Sequence, residues 1–406
     1  MLLKRRDFLK VSSLATASLL VPRLLQATGK SIIDPTNKSN RVLVVLQLSG
    51  GNDGLNTVIP IGNDVYYKSR PALGIKPDKA LALTDEVSLH PELKFFQSLY
   101  HDGGLGILNN VGYPEPDRSH FRSMDIWQTG SASKEVWQTG WIGRYLDHEC
   151  KNCKLPTQAI EIDDSLSLAL KGEVEKALAL QNPGQLYQNS NQEYLRRLGK
   201  SYGNPLHDMA HEQPVDYLYK TMTGTLNSAD YIYKESKAGN KSAGNYPKTQ
   251  IGNNLKTIAS LILADTNTQV YYVSVGSFDT HVNQDGQQAK LFRQINEAVE
   301  AFVTDLKANN KFDDVLLFTF SEFGRRVAQN ASNGTDHGTA NNMFFIGGGL
   351  KEKGLLNAMP DLGNLEQGDL KYQVDFKSVY ATVLNNWLDA DDEAILGKKM
   401  ERLSFV

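Results

Sequence analysis

Acidic and imidazole side chains stand where several short apolar runs of this sequence begin or stop. Asp53 follows RVLVVLQL (Arg41 to Leu48) across a glycine-rich turn, and Asp279 and His281 follow QVYYVSV (Gln269 to Val275). Glu322 closes the run Val315 to Phe320, and Asp336-His337 leads into Met343 to Ile346. Carboxylate oxygens and imidazole nitrogens that can reach one point are the ligands of zinc, manganese or iron. Each residue alone reads equally well as a turn or helix cap. Their shared position at strand ends is what points to a metal site.

The elements that must position them follow from hydrophobic patterning. Runs that are apolar without alternation are strands buried on both faces, as in a parallel sheet. In open α/β sheets, ligands bind beyond the carboxyl ends of the strands. Between Gly286 and Asn309, the residues Phe292, Ile295, Val299, Phe302, Val303 and Leu306 recur at a helical period. That helix returns the chain to the Val315 strand and completes a right-handed βαβ unit. Further helices are expected at Ile251 to Asp265 and Asp375 to Leu388, and a further strand at Leu105 to Asn109. The fold class is α/β with a mainly parallel central sheet.

One more segment has chemical potential. Pro114 to Asp125 approaches a helix that runs through Trp127, capped by Asp117 or Ser119. A serine at a helix N-terminus is favourably placed to bear negative charge or bind an anion. It is also an ordinary cap. Two copies of Trp-Gln-Thr-Gly, at Trp127 and Trp137, do not make a repeat architecture.

From about residue 150 to 250 the texture changes to Asn, Gln, Ser, Tyr and Lys, with helical patches such as Leu166 to Leu180. This reads as a mostly helical insertion or cap over the sheet edge. His207 and His211 have helical i, i+4 spacing but no HExxH setting, so a solvated helix face is the better reading. Cys150 and Cys153 read as a local disulfide, worth at most about 2 kcal/mol in the chain-entropy model.

Lys4-Arg5-Arg6, a short apolar stretch from Val11 to Val21 and Leu25-Gln26-Ala27 form an export signal of the twin-arginine kind. Residues 1 to about 27 are therefore set apart from the fold. The expected location is the periplasm or beyond, with the twin-arginine translocase as a transient partner. After cleavage no stretch is long enough for a stable membrane span. A formal net charge of -3 argues against nucleic acid as a partner.

The segments LQLSGGNDGLNT, DRSHF, FDTH, SEFGR and DHGTANNMFFIGG, with the twin-arginine start, resemble the exported family known as domain of unknown function 1501. The resemblance spans essentially the whole mature chain. That family is more remotely similar to the alkaline phosphatase and sulfatase superfamily. The resemblance implies an alkaline-phosphatase-like α/β sandwich over residues 28–406 with the helical insertion at about 150–250. It also implies one or two divalent metal ions, zinc or manganese. One ion would sit at Asp53 and Glu322 and a second at Asp279, His281 and His337. Ser119 would be the nucleophile, Ser123 the weaker choice, and Arg118 or Arg122 would clamp the oxygens of a small anionic ester. Phe323 falls where the superfamily commonly has histidine, so one site lacks a ligand unless Asp336 replaces it.

Two functions follow from this resemblance. The first is an exported metal-dependent hydrolase of phosphate or sulfate esters. The second is an exported metal-binding or scaffold protein that keeps the fold without catalysis, which Phe323 and the missing Cys/Ser-x-Pro-x-Arg sequence favour.

Overall fold

The computed structural model of this protein describes residues 40–150, 157–173, 177–201, 214–238, 242 and 244–406. The expected signal at 1–27, Cys153, and the His207/His211 pair lie outside the described residues. The described residues divide into two compact units: 41–137, 244–256 and 272–406 in the larger, and 138–150, 157–173, 177–201, 214–238, 242 and 257–271 in the smaller.

The expected apolar runs are strands: β1 (Val42–Leu48), β2 (Leu105–Gly112), β3 (Val270–Val275), β4 (Val315–Phe320) and β5 (Asn341–Ile346). Their order across the sheet is β2-β5-β4-β1-β3, with the short strand Gly354–Leu355 beyond β2. β1 and β4 run parallel with Val42 opposite Val315 and Gln47 opposite Phe320. β5 is antiparallel to both β4 and β2, so the sheet is mostly rather than wholly parallel.

Every residue of β4 and all but the first of β1 are buried, as an unbroken apolar run requires. The helix Gln284–Ala308 buries Phe292, Ile295, Val299, Phe302, Val303 and Leu306, the stripe that its period announced. Trp127 stacks on Phe320 and Phe376 at centroid distances of 5.2 and 4.2 Å. Fully burying one such large apolar side chain contributes about 1.5–3 kcal/mol. The helix expected at Asp375 to Leu388 is α-helical over Phe376–Thr382 and continues as a π-helical turn over Val383–Trp387.

In the smaller unit, Pro183–Ser190, Glu193–Ser201 and Pro214–Ala238 are helical, as expected of the insertion. The helical reading of Leu166 to Leu180 was not correct. Leu168–Leu170 is a 3-10 turn, and Leu178–Ala179 pairs in parallel with Ala159–Glu161. Burial of Ala169, Leu170, Leu178 and Ala179 accounts for the apolar pattern without a helical period. Cys150 is disulfide-bonded.

Candidate metal centre

The site begins where β1 ends. Ser49 N–H donates to Val275 O at 2.8 Å and Phe278 N–H to Ser49 O at 3.1 Å, which holds the ends of β1 and β3 side by side. Gly50 and Gly51 turn the chain with φ of 118° and 74°. A Cβ on Gly50 would meet Asp279 N at 2.5 Å, and one on Gly51 the Phe323 ring at 2.3 Å. Only glycine permits both the dihedral and the approach. Gly50 N–H donates to Glu322 Oε1 at 2.8 Å, so the turn also fixes the carboxylate at the end of β4.

Three histidines converge beside that carboxylate. His120 is the first residue of the helix His120–Thr129, and its Nδ1 lies 2.8 Å from Glu322 Oε1. His337 Nδ1 lies 2.8 Å from the carbonyl oxygen of Arg118, and His281 Nδ1 lies 3.1 Å from Asp336 Oδ1. Each of these partners is an oxygen acceptor, and a proton on each Nδ1 would leave each Nε2 with its lone pair for a cation. The Nε2 atoms face Asp279. Its Oδ1 is 3.0 Å from His281 Nε2 and 3.2 Å from His337 Nε2, and its Oδ2 is 3.4 Å from His120 Nε2. Ligand atoms of His120, Asp279 and His337 all fall within 4.8 Å of one another.

The donor set fits a divalent ion. Among the described residues Nε2 of His120 is buried without a hydrogen-bond partner, and imidazoles oriented through Nδ1 by oxygen acceptors are the arrangement that metal-binding histidines adopt. Three nitrogens and a carboxylate suit zinc or manganese. Burial is graded across the site. The Glu322 and Arg325 side chains are fully buried, while those of Asp279 and His281 are 47% and 40% exposed.

Charge is arranged to keep Asp279 ionised. Burial raises its pKa, but the Arg325 guanidinium at 2.8 Å and His337 outweigh that and hold it at about 2. Arg325 is itself pinned by the carbonyls of Gly51 at 2.6 Å, Thr335 at 2.9 Å and Phe278 at 3.0 Å. The hydrogen bond to Glu322 raises the pKa of His120 against the effect of burial. Asp336 is lowered, chiefly by its hydrogen bond from Asn330.

The structure brings together Asp279, His281, Glu322, Asp336 and His337 from the expected set. Glu322 and Asp336 touch imidazole Nδ1 atoms, which makes them orienting partners of the donors in this arrangement. Asp53 is placed differently. Its Oδ1 caps Leu55 N–H at 3.2 Å, while its Oδ2 pairs with Arg70 Nη1 at 2.5 Å and accepts from Gln284. Among the described residues it makes no hydrogen bond or ion pair with the histidines or with Asp279. A guanidinium stands at Asp53 where a metal was expected.

Ser119 is the exposed N-cap of the His120–Thr129 helix, and its hydroxyl caps nothing; its N–H donates to Asp117 Oδ1 at 2.7 Å. Ser123 is fully buried, its hydroxyl shared among Tyr113 OH at 2.5 Å and the carbonyls of Asp117 and Glu322, each at 3.0 Å. Arg122 is spent on the carbonyls of Ala132, Ser133 and Glu135. Arg118 pairs with buried Asp369, which Arg326 Nε approaches to 3.6 Å. Phe323 packs at 4.8 Å from the His120 ring and 4.7 Å from the His337 ring. It forms the wall against which two donors lie.

Sequence reasoning missed His120, Arg325 and Arg70. His120 lies inside DRSHF and Arg325 inside SEFGR, segments already singled out for their neighbours. The available signal for His120 was its place one residue after a helix cap, on the same turn as Ser119. Nothing local marks Arg70 as the partner of a residue 17 positions earlier.

The sequence pattern of the family described as "Protein of unknown function (DUF1501)" matches residues 102–402. No curated protein matches the chain. Solved structures align with it at low identity. A sulfatase from Pseudoalteromonas sp. aligns with TM-score 0.40 and 11% identity over 100% of this chain and 78% of that one. A lipoteichoic acid synthase from Listeria monocytogenes aligns with TM-score 0.35 and 10% identity over 95% and 81%. A protein in the alkaline phosphatase superfamily from Vibrio parahaemolyticus aligns with TM-score 0.34 and 13% identity over 97% and 78%.

Proposed function

The chain belongs to the DUF1501 family, and we propose that it is an exported hydrolase of phosphate or sulfate esters. It would work with one divalent ion, zinc or manganese, held by His120, Asp279, His281 and His337. The observation that carries this reading is the convergence of three Nδ1-anchored imidazoles on one carboxylate.

One ion rather than two is proposed because Asp53 is already neutralised by Arg70 at 2.5 Å. A bound divalent ion would supply Lewis-acid polarisation of the ester oxygens and easier ionisation of a nearby hydroxyl. The chain's own residues then have separable roles. Glu322, Asp336 and the Arg118 carbonyl hold the imidazole tautomers. Arg325 keeps Asp279 ionised. Ser119, exposed on the residue before His120, is the proposed nucleophile: its hydroxyl proton passes to water as its oxygen bonds to phosphorus or sulfur. The bond to the ester oxygen breaks and that oxygen leaves as the alcohol with a proton from water. A second water then cleaves the bond to Ser119, releasing the anion and returning a proton to the serine oxygen. Arg118 and half-exposed Arg326 share a single acid, Asp369, which leaves positive charge for the nonbridging oxygens.

A second reading is supported by one observation. Among the described residues the Ser119 hydroxyl makes no hydrogen bond to the cluster, as would hold for a protein that binds metal without catalysis. Export in the folded state rests on Arg5-Arg6. Elemental analysis of the protein purified from the periplasm, paired with a screen of aryl phosphates and sulfates, tests both readings. About one equivalent of metal with turnover supports the hydrolase, metal without turnover supports the second reading, and metal-free inert protein overturns both.

A further inference from the structure

Asp369 stands behind the two arginines that border the histidine site. It closes a tight turn in which Glu366 N–H donates to Asp369 O at 3.0 Å and Asp369 N–H to Glu366 O at 2.9 Å. The residues between them, Gln367 and Gly368, have φ of 53° and 87°. Two consecutive positive angles are what a two-residue hairpin turn of the I′ kind demands. Thr339 Oγ1 donates to Leu370 O at 2.5 Å, which ties this turn to the chain two residues beyond His337.

Both arginines are fixed to the site through their backbones. The Arg118 carbonyl lies 2.8 Å from His337 Nδ1, and Arg326 N–H donates to Asp336 O at 3.0 Å. Their side chains, 37% and 39% exposed, meet at the Asp369 carboxylate, which is 1% exposed. Arg118 Nη2 donates to Oδ2, while Arg326 Nε stays 3.6 Å from Oδ1, beyond hydrogen-bond reach. Among the described residues Asp369 Oδ1 and Arg118 Nε are buried without a hydrogen-bond partner. Stability does not account for this acid. Burial raises the Asp369 pKa more than the two guanidiniums lower it. A buried ion pair with unmet hydrogen bonds is no better for folding than apolar packing. What the carboxylate does fix is the separation of two cations that would otherwise repel, with one positive charge left in excess.

We propose that Asp369 is a positioning residue: held by the Glu366–Asp369 turn, it sets the spacing of the Arg118 and Arg326 guanidiniums so that together they take one tetrahedral oxyanion. This rests on the role given above to those arginines and names the group that enables it. Each guanidinium carries its N–H donors in a rigid fork, and Asp369 occupies only part of either one. Arginines braced in advance lose less side-chain freedom when an anion binds. Asp369 itself is too buried to touch the anion. Its charge acts in the opposite sense, since a carboxylate behind the pair weakens their attraction for any anion. Removing the acid therefore separates positioning from charge by the sign of the effect.

Sulfate and inorganic phosphate, titrated separately into the full chain by calorimetry at low ionic strength, test this. The wild-type protein should bind at least one of them saturably. Asp369→Asn keeps the side-chain volume and removes the charge. Positioning predicts roughly tenfold weaker binding, as loss of one charge-assisted hydrogen bond implies, whereas charge alone predicts tighter binding. Metal content by elemental analysis should be equal in the two proteins. Gly368→Ala keeps every charge but puts a Cβ into the left-handed turn, 3.7 Å from Arg326 Nη1. It should weaken binding as well, and is the variant to use if Asp369→Asn does not fold. Unchanged or tighter binding in the variant used overturns the positioning role and leaves the arginine pair standing. Absence of saturable binding of both anions by the wild-type protein overturns the two together.

Discussion

The Nε2 atoms of His281 and His337 face each other at 2.9 Å, while the Nδ1 atoms of the same rings point at Asp336 and the Arg118 carbonyl. With a proton on each Nδ1, two lone pairs oppose one another across that gap. A cation that both nitrogens and Asp279 can reach removes the repulsion. His337→Ala should therefore abolish stoichiometric metal in elemental analysis. Chelation should lower the melting temperature of the wild-type protein but not that of the variant, by linkage worth about 2.7 kcal/mol at a hundredfold excess of ion over Kd.

Glu322 should act through His120. Glu322→Gln keeps the volume but can present a donor to Nδ1 and release the tautomer. Metal affinity should fall by about 10–100-fold, as is usual when an orienting partner is changed. Isothermal titration with zinc measures it, and unchanged affinity would remove Glu322 from the site.

The Asp53–Arg70 pair should matter for folding and not for metal. Both side chains are at most 1% exposed, and Asp53→Ala strands a buried guanidinium. A loss of about 3–5 kcal/mol in denaturant unfolding is expected, with metal content retained in the folded fraction. A metal-free but stable variant would return Asp53 to the ligand set.

His90 gives the larger unit an acid sensitivity. Burial lowers its pKa from the ordinary 6.5 to about 4. Between those values the unfolded chain binds the proton and the folded chain does not, so stability falls as pH drops from about 6.5 to about 4 and the effect levels off below. The full span is roughly 3 kcal/mol. His90→Gln should flatten that part of the stability profile, and an unchanged slope would refute the assignment.

Ser119 and Ser123 should separate cleanly. Ser119→Ala should abolish turnover with stability and metal intact, because its hydroxyl caps nothing. Ser123→Ala should cost about 1–3 kcal/mol of stability, because Tyr113 OH loses a buried partner. Retained turnover in Ser119→Ala would eliminate the proposed nucleophile.

Export is tested independently of the fold. Arg5→Lys with Arg6→Lys should leave the precursor in the cytoplasm by fractionation, and undiminished periplasmic protein would refute the twin-arginine reading.

Patterning within the chain determined the strands and the long helix. Unbroken apolar runs such as Val315 to Phe320 admit burial on both faces and little else, and the Phe292 to Leu306 stripe has only a helical period. The chemistry-bearing segments were legible for the same reason, since they sit where those runs begin or stop. The partnership of each side chain was not. Whether Asp53 meets a metal or Arg70, and whether Glu322 binds an ion or orients His120, depends on atoms brought within 3 Å from 17 to 202 positions away. Local pattern carries burial and period, whereas the sign and direction of a partner arise only when the chain closes on itself.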